Sequence, residues 1–547
     1  MPDPSANYGT LAMLLVVMGV SVWLGTQAQR AVEKGGFVKG YFLGNRGLGA
    51  WALALTATVQ SGGTFMGFPS LVYTHGWIVA LWIASYMVVP ITGFAVLGKR
   101  FAQLSRRTGA ITVPDLFDAR FGDRRVGFVA SLAILAFMTF LMLAQFKAGA
   151  IVMKLAWPSS GSLVLAEDAA VAGQDWAYLI GLAVFSLTVV GYTLIGGFLA
   201  SVWTDLFQSI LMAIGVALLF VLVVPAASKL SYAQPTLDAV AATNSDFAFG
   251  PGLHAADKAA FLPLGVAISF FFVWPIGGIG TPAGMVRVMA CKDAPTMRRS
   301  IVLLSFYNLM IYIPLILICI SGRALMPNVA ASDEIIPRLA IWSAADLPGG
   351  SLLSGLILAA PFGAVMATVS TYLVVIASGV VRDIYQRFLR PQAGDSEIRR
   401  VSHVVMIVLG IVGVAANVNP VQFLQKLVVF STTSTASTFV AAALMLAFWR
   451  RATAAGALAA MITGGSTVLA LFTCGVVIEG KNLFDPYQLF GADPIVWGLA
   501  ASSIAGVLVS LITQPPPEEL VSRLFDPLPA AAVSSGVRSP ATASATT

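Results

Sequence analysis

A chain of 547 residues that is 58% hydrophobic and only 10% charged is not the sequence of a soluble globular domain, in which about a quarter of the residues carry charge. The formal net charge of +7 comes from 32 Lys and Arg against 25 Asp and Glu. The basic residues gather in a few loops, so topology accounts for the charge and no nucleic-acid partner is called for.

Apolar runs near the roughly 20 residues needed to cross a bilayer recur along the chain. Helices satisfy their backbone groups within such a segment, so an all-α integral membrane fold follows. Thirteen spans are expected, at about 8–27, 47–72, 76–98, 126–155, 176–195, 198–224, 260–285, 298–322, 350–380, 401–420, 423–449, 453–475 and 491–513. The first is too long, and too poor in preceding Lys or Arg, to read as a cleaved signal peptide. With the N-terminus outside, loops 28–46, 99–125, 286–299, 381–400 and 450–452 and the tail hold 24 of the 32 Lys and Arg, the positive-inside pattern. This predicts a multi-pass protein of the cell (inner) membrane with its C-terminus in the cytoplasm. Residues 1–513 read as one transmembrane domain with a core at about 47–449, and loops 225–258 and 323–349 as outer loops carrying short helices. Residues 514–547 open on Pro515, Pro516 and Pro517, turn rich in Ala, Ser and Thr, and read as a disordered cytoplasmic tail.

Two spans are unlike the rest. Span two runs from Ala52 to Pro69 (ALALTATVQSGGTFMGFP), with polar residues and Gly62–Gly63 in its middle. Span seven runs Phe272 to Pro282 (FVWPIGGIGTP), with two prolines and three glycines in eleven residues. Proline removes a helix hydrogen bond and glycine weakens the helix locally, so both spans are expected to be broken. Irregular backbone at membrane depth is tolerated where it lines a cavity or binds something. The two breaks are five spans apart, so spans 2–6 and 7–11 form two five-helix repeats, which an odd span number makes inverted. That is the plan of LeuT-like carriers, with the site where the broken helices meet.

Within the spans a few polar residues stand out. Asp205 lies about two helical turns into span six, and a carboxylate at that depth is costly enough to be a functional candidate. It either orients a cation site or pairs with an Arg near the inner gate. Lys147, some 20 residues into span four, either snorkels to the outer interface or presents a positive charge to the cavity. Span nine carries Thr368, Ser370 and Thr371 among small residues, oxygens that suit a hard monovalent cation. Span eleven carries the hydroxyl run Ser431 to Thr438 (STTSTAST), which either bonds back to its own helix or lines a polar path. The spans hold no catalytic constellation, and the Cys and His residues have no disulfide or metal-ligand spacing, so an enzyme is not expected.

The chain resembles the sodium:solute symporter family over nearly all its membrane region. The matching stretches are Tyr41–Gly49 (YFLGNRGLG), Gly191–Gln208 (GYTLIGGFLASVWTDLFQ), Gly280–Arg287 (GTPAGMVR) and Ala359–Thr368 (AAPFGAVMAT). Leu97–Ala102 (LGKRFA) followed by Thr112–Leu116 (TVPDL) is similar to the sodium–pantothenate branch, with proline symporters more distant. The resemblance implies a LeuT-like core of ten helices and sodium-driven alternating access. It implies sodium ligands at the Ala57 and Gln60 carbonyls and at Ala364, Ala367 and Thr368, with Asp205 behind them. It implies solute contacts at Trp274, Gly278 and Pro282, faced by Gln60, Ser61 and Gly62, with Lys147 added from its charge. The chain departs from the pattern at Ala367, where the family commonly has Ser, and at Ala283, where the pantothenate and proline branches have His.

The expectation is therefore symport of sodium with a small carboxylate or zwitterion such as a pantothenate-, monocarboxylate- or proline-like solute, within the lipid bilayer. A carrier of the same fold that uses protons, or Lys147, in place of sodium is the alternative, and a membrane sensor or uncoupled channel is a third reading.

Overall fold

The computed structural model describes residues 7–32, 37–57, 61–79, 85, 87–157, 176–230, 233–243, 264–419 and 424–526. They are helical throughout apart from turns and one isolated bridge between Leu48 and Cys291. Among them, nine helices are long and apolar enough to cross a membrane, ten if the bent pair Gly265–Gly280 and Pro282–Met289 forms one span.

The count falls short of thirteen for a physical reason. The stretch Trp176–Ser228 is 53 residues long, about 80 Å as a straight helix and far beyond one bilayer. Gly197 (φ 56°, ψ −137°) interrupts it, so it divides into α7 before Gly197 and α8 after it, as the two predicted spans require. A side chain there would be strained, and its Cβ would stand 2.6 Å from the Tyr41 ring. Spans two and three are cut into pieces, each too short to count alone. Span two comprises α2 (Ala50–Ala57), a π-helical turn (Gly63–Gly67) and α3 (Phe68–His75). Span three includes the π-helical stretch Pro90–Gly98.

The remaining spans are α1 (Asn7–Val32), α6 (Arg124–Ala156), α9 (Leu264–Gly280) with α10 (Pro282–Met289), α11 (Ala294–Leu325), α13 (Gly350–Ser378), α14 (Asp395–Ala416), α15 (Leu424–Phe448), α16 (Ala454–Glu479) and α17 (Pro494–Ile512). Their ends follow capping chemistry. Asp123, Asp293, Thr453 and Asp493 each accept a backbone N–H at a helix start.

Burial ranks the helices. In α15, 94% of the best membrane-length window is buried, and in α13 83%, against 28% in α17. These two form the centre, while α16 and α17 pack on each other at the edge. The loops hold short helices: α4 (Lys99–Thr108), α5 (Val113–Phe121), Ala233–Thr243 and α12 (Ile335–Ala344).

The tail differs from its expected disorder at one point. After the three prolines, α18 (Glu518–Phe525) forms and packs on α4. Acidic Glu518 and Glu519 suit its N-terminal turn, and Leu520, Leu524 and Phe525 give it an apolar side to bury. Residues 527–547 lie outside the described residues.

Candidate functional site

Hydrogen bonds that replace those of a continuous helix define the first break. In an unbroken helix the Ser61 N–H would bond the Ala57 carbonyl; here it donates to Thr64 Oγ1 at 3.3 Å. The Ser61 carbonyl accepts from the Thr64 N–H at 2.9 Å and the Phe65 N–H at 3.2 Å. Its hydroxyl accepts from the Gly63 N–H at 3.1 Å. The next N–H, that of Gly62, donates to Gln145 Oε1 on α6 at 2.7 Å. A Cβ on Gly62 would lie 2.8 Å from the Ala148 Cβ and 3.3 Å from Val365 of α13. The missing side chain thus lets the break seat between α6 and α13.

The second break has a different origin. Pro275 lies inside α9 and Pro282 opens α10, which bends away by 42°. Thr281 closes the corner, donating its hydroxyl to the Gly277 carbonyl at 2.8 Å while its own carbonyl accepts from the Met285 N–H at 3.0 Å.

Both breaks line one cavity, which encloses about 970 Å³ of non-atom space including its mouth. Ser61 and Thr64 come from the first break, and Trp274, Gly278 and Thr281 from the second. The wall is polar in patches, with Asn308 and Tyr312 of α11 and Thr432 and Thr435 of α15. Thr64 Oγ1 and Tyr312 Oη sit 3.1 Å apart across it.

Of the expected solute contacts, Ser61, Trp274 and Gly278 line this cavity. Gly62 faces α6 and α13, and Pro282 is buried between two lining residues, Thr281 and Ala283. Gln60 lies outside the described residues. Lys147 neither snorkels nor lines the cavity: it is buried, and its Nζ lies 3.2 Å from Asp333 Oδ2 in the loop before α12. Two residues along α6 from Gln145, it is turned about 200° around the helix axis from the side chain that meets the break.

Of the expected cation ligands, Ala57 ends α2, and Ala364, Ala367 and Thr368 are enclosed on α13. Thr368 Oγ1 donates to the Ala364 carbonyl at 2.8 Å, which puts two oxygens side by side. Ser370, the next hydroxyl after Thr368, meets Ser201 Oγ at 3.0 Å.

Asp205 is fully enclosed, and its Oδ2 receives Arg287 Nη2 at 2.6 Å. Ser201 and Thr371 also donate to that oxygen, at 3.3 and 3.4 Å. Among the described residues, Asp205 Oδ1 and Arg287 Nε and Nη1 have no hydrogen-bond partner. Of the two expected roles, pairing with an Arg is the one the geometry brings together.

Several cavity residues carried no mark in the sequence. Asn308 and Tyr312 line the cavity from the apolar helix α11, and a helical-face argument would have selected them only with the partner helix known; the same holds for Gln145 on α6, which meets the first break from outside the lining. The hydroxyl run on α15 does both of the things open to it. Thr435 and Thr438 bond back to the carbonyls of Ser431 and Ser434 at 2.8 Å, while Thr432 and Thr435 reach the cavity.

The profile of the sodium:solute symporter family matches residues 41–464. The chain is 32% identical over 501 residues to the sodium/pantothenate symporter of Escherichia coli K12, covering 90% of this chain and 94% of that one. It is 29% identical over 494 residues to the osmoregulated proline transporter OpuE of Bacillus subtilis 168, covering 89% and 92%. Among solved structures it is similar to a substrate-bound, outward-open Na+-coupled sialic acid symporter, with a TM-score of 0.69 at 19% identity over 93% of this chain and 99% of that one. At that identity the likeness shows the fold, which is LeuT-like.

Proposed function

The chain belongs to the sodium:solute symporter family, and from that premise we propose a solute, a set of sodium ligands and an orientation. As a member of that family it is a multi-pass membrane symporter that couples sodium to a small solute and is not an enzyme.

The solute is a small carboxylate or zwitterion of the pantothenate or proline kind, held between Ser61 and Thr64 on one side and Trp274, Gly278 and Thr281 on the other. The observation that carries this reading is that both broken helices line one cavity. Exposed half-helix ends and hydroxyls there offer donors to an anionic group. Ala283 removes the imidazole of the pantothenate and proline branches, so selection falls to the α11 and α15 side chains, Asn308, Tyr312, Thr432 and Thr435 among them.

Sodium takes the Ala57 and Gln60 carbonyls at the first break together with the Ala364 and Ala367 carbonyls and the Thr368 hydroxyl of α13. Binding there ties the broken helix to α13, favours the state open to the outside and completes the solute site, after which solute binding permits closure and inward opening. One sodium charge crossing 100 mV supplies about 2.3 kcal/mol, close to fifty-fold accumulation. Residues 1–513 act as one transporter domain in the inner membrane, N-terminus outside and residues 514–526 on the cytoplasmic face. Lys147, held by Asp333, does not take the place of the cation.

Uptake of labelled pantothenate, proline and simple monocarboxylates into proteoliposomes tests the reading. Accumulation of at least one of them above equilibrium is expected only with an inward sodium gradient. Equal uptake with and without sodium would overturn the coupling.

A further inference from the structure

Four arginines from distant parts of the chain converge on the end of α18. Arg100 lies on α4 and stands with its guanidinium carbon 4.6 Å from the centre of the Phe525 ring. Arg120, on α5, is 5.0 Å away, and Arg450, just beyond α15, is 5.6 Å away. Arg107 donates to the carbonyls of Leu524 and Asp526 at 2.9 and 2.8 Å. Arg450 pairs with the Asp526 carboxylate at 2.5 Å.

Each feature of this helix end suits cations. An aromatic face attracts guanidinium groups, and the last carbonyls of a helix carry its negative end. Among the described residues, the carboxylate bonded within this cage is that of Asp526, so four positive charges share little formal compensation. Burial, with the neighbouring Arg100 charge, pushes the Arg120 guanidinium down to about 10. Its Nε and Nη1 have no hydrogen-bond partner among the described residues.

The cage also spans the two repeats. Arg100, Arg107 and Arg120 follow span three, in the first repeat. Arg450 and the carbonyls of Ala447 and Trp449 close α15, in the second. Arg100 reaches the Ala447 carbonyl and Arg120 the Trp449 carbonyl, both at 2.9 Å. In carriers of this plan one repeat or bundle rocks against the other. A helix wedged into both ends opposes that motion on its own side.

We propose that α18 is a latch: Phe525, seated among Arg100, Arg120 and Arg450, holds the two repeats together on this face, and opening toward it requires the helix to leave. The proposal rests on the alternating-access reading and on the assignment of this face as cytoplasmic.

Spin labels at Gln103→Cys on α4 and Phe448→Cys at the end of α15, both exposed positions, measure the separation of the two ends. The background is a chain whose three native cysteines have been replaced and which still transports. Phe525→Ala and the gentler Phe525→Leu are compared with the unaltered latch, each in sodium and in potassium. The latch predicts that both substitutions raise the long-distance population at least about fivefold in either salt, the effect of losing even one of the three cation–π contacts. Distance distributions identical to the unaltered chain in both variants would overturn it. A distance in the unaltered chain that never responds to sodium would count against the alternating-access reading instead. If Phe525→Ala folds poorly, Phe525→Leu, which keeps the apolar seat without the ring, decides the question.

Discussion

Two buried ion pairs, neither lining the cavity, are built differently. Asp205 and Arg287 meet at 2.6 Å between α8 and α10, with side chains 2% and 1% exposed. Lys147 and Asp333 meet at 3.2 Å between α6 and a loop, at 8% and 9%. The first pair joins the last helix of one repeat to the broken helix of the other, and it leaves an oxygen and two nitrogens without a hydrogen-bond partner among the described residues. The second joins a helix to a segment that also holds Ser70 through Ser332, at 2.5 Å. One pair joins helices of the two repeats, the other ties the buried turn before α12 to α6. Burying charge is repaid only when its valences are met. An incompletely satisfied pair between two elements that must shift is suited to exchanging partners, whereas a loop-to-helix pair is suited to holding a loop in place.

The largest effect that would sharpen this contrast comes from breaking the inner pair. Asp205→Ala or Arg287→Ala leaves one buried charge alone and is expected to cost about 3–5 kcal/mol. The double substitution Asp205→Leu with Arg287→Met should recover most of the stability but not the transport. Thermal unfolding of the purified protein in lipid, set beside uptake, checks both halves. If the double variant transports normally, the pair is structural only.

Breaking the outer pair should cost less, about 1.5–3 kcal/mol, the loss of a charge-assisted bond where the loop can relax. Lys147→Met and Asp333→Asn should each lower the melting temperature by less than the inner substitutions do. Neither should alter which solutes compete for uptake, because Lys147 does not line the cavity. A changed competition profile in Lys147→Met would return that charge to the solute site.

Smaller again is Gln145→Ala. It removes the acceptor of the Gly62 N–H and should cost about 1 kcal/mol, with weaker solute binding as the more telling readout. Unchanged solute affinity would mean that Gln145 supports the wall and not the break.

How much of this was legible follows the same contrast. Asp205 announced itself because a carboxylate in an apolar run has no cheap explanation, but Arg287 did not, since hydropathy places it in a loop. Lys147 was visible as a charge, yet its partner lies 186 residues away, just before α12, and local sequence says nothing of such distances. The breaks were legible from proline and glycine, which act on their own backbone. Gln145, Asn308 and Tyr312 were not, because each gains its meaning from a facing helix. The span count fell short where the chain turns at one glycine or dissolves into short pieces. α18 was hidden by its eight-residue length and the prolines before it.

In the proposed function sodium binds where the first broken helix meets α13, with Thr368 supplying its hydroxyl. The sodium concentration for half-maximal uptake in Thr368→Ala, set beside that of Ala367→Ser and the unaltered chain, tests it most directly. A rise of about tenfold or more is expected in Thr368→Ala, the loss of one hydrogen-bond-strength ligand, and a fall in Ala367→Ser, which adds a second hydroxyl. The same half-saturation in all three proteins would contradict it.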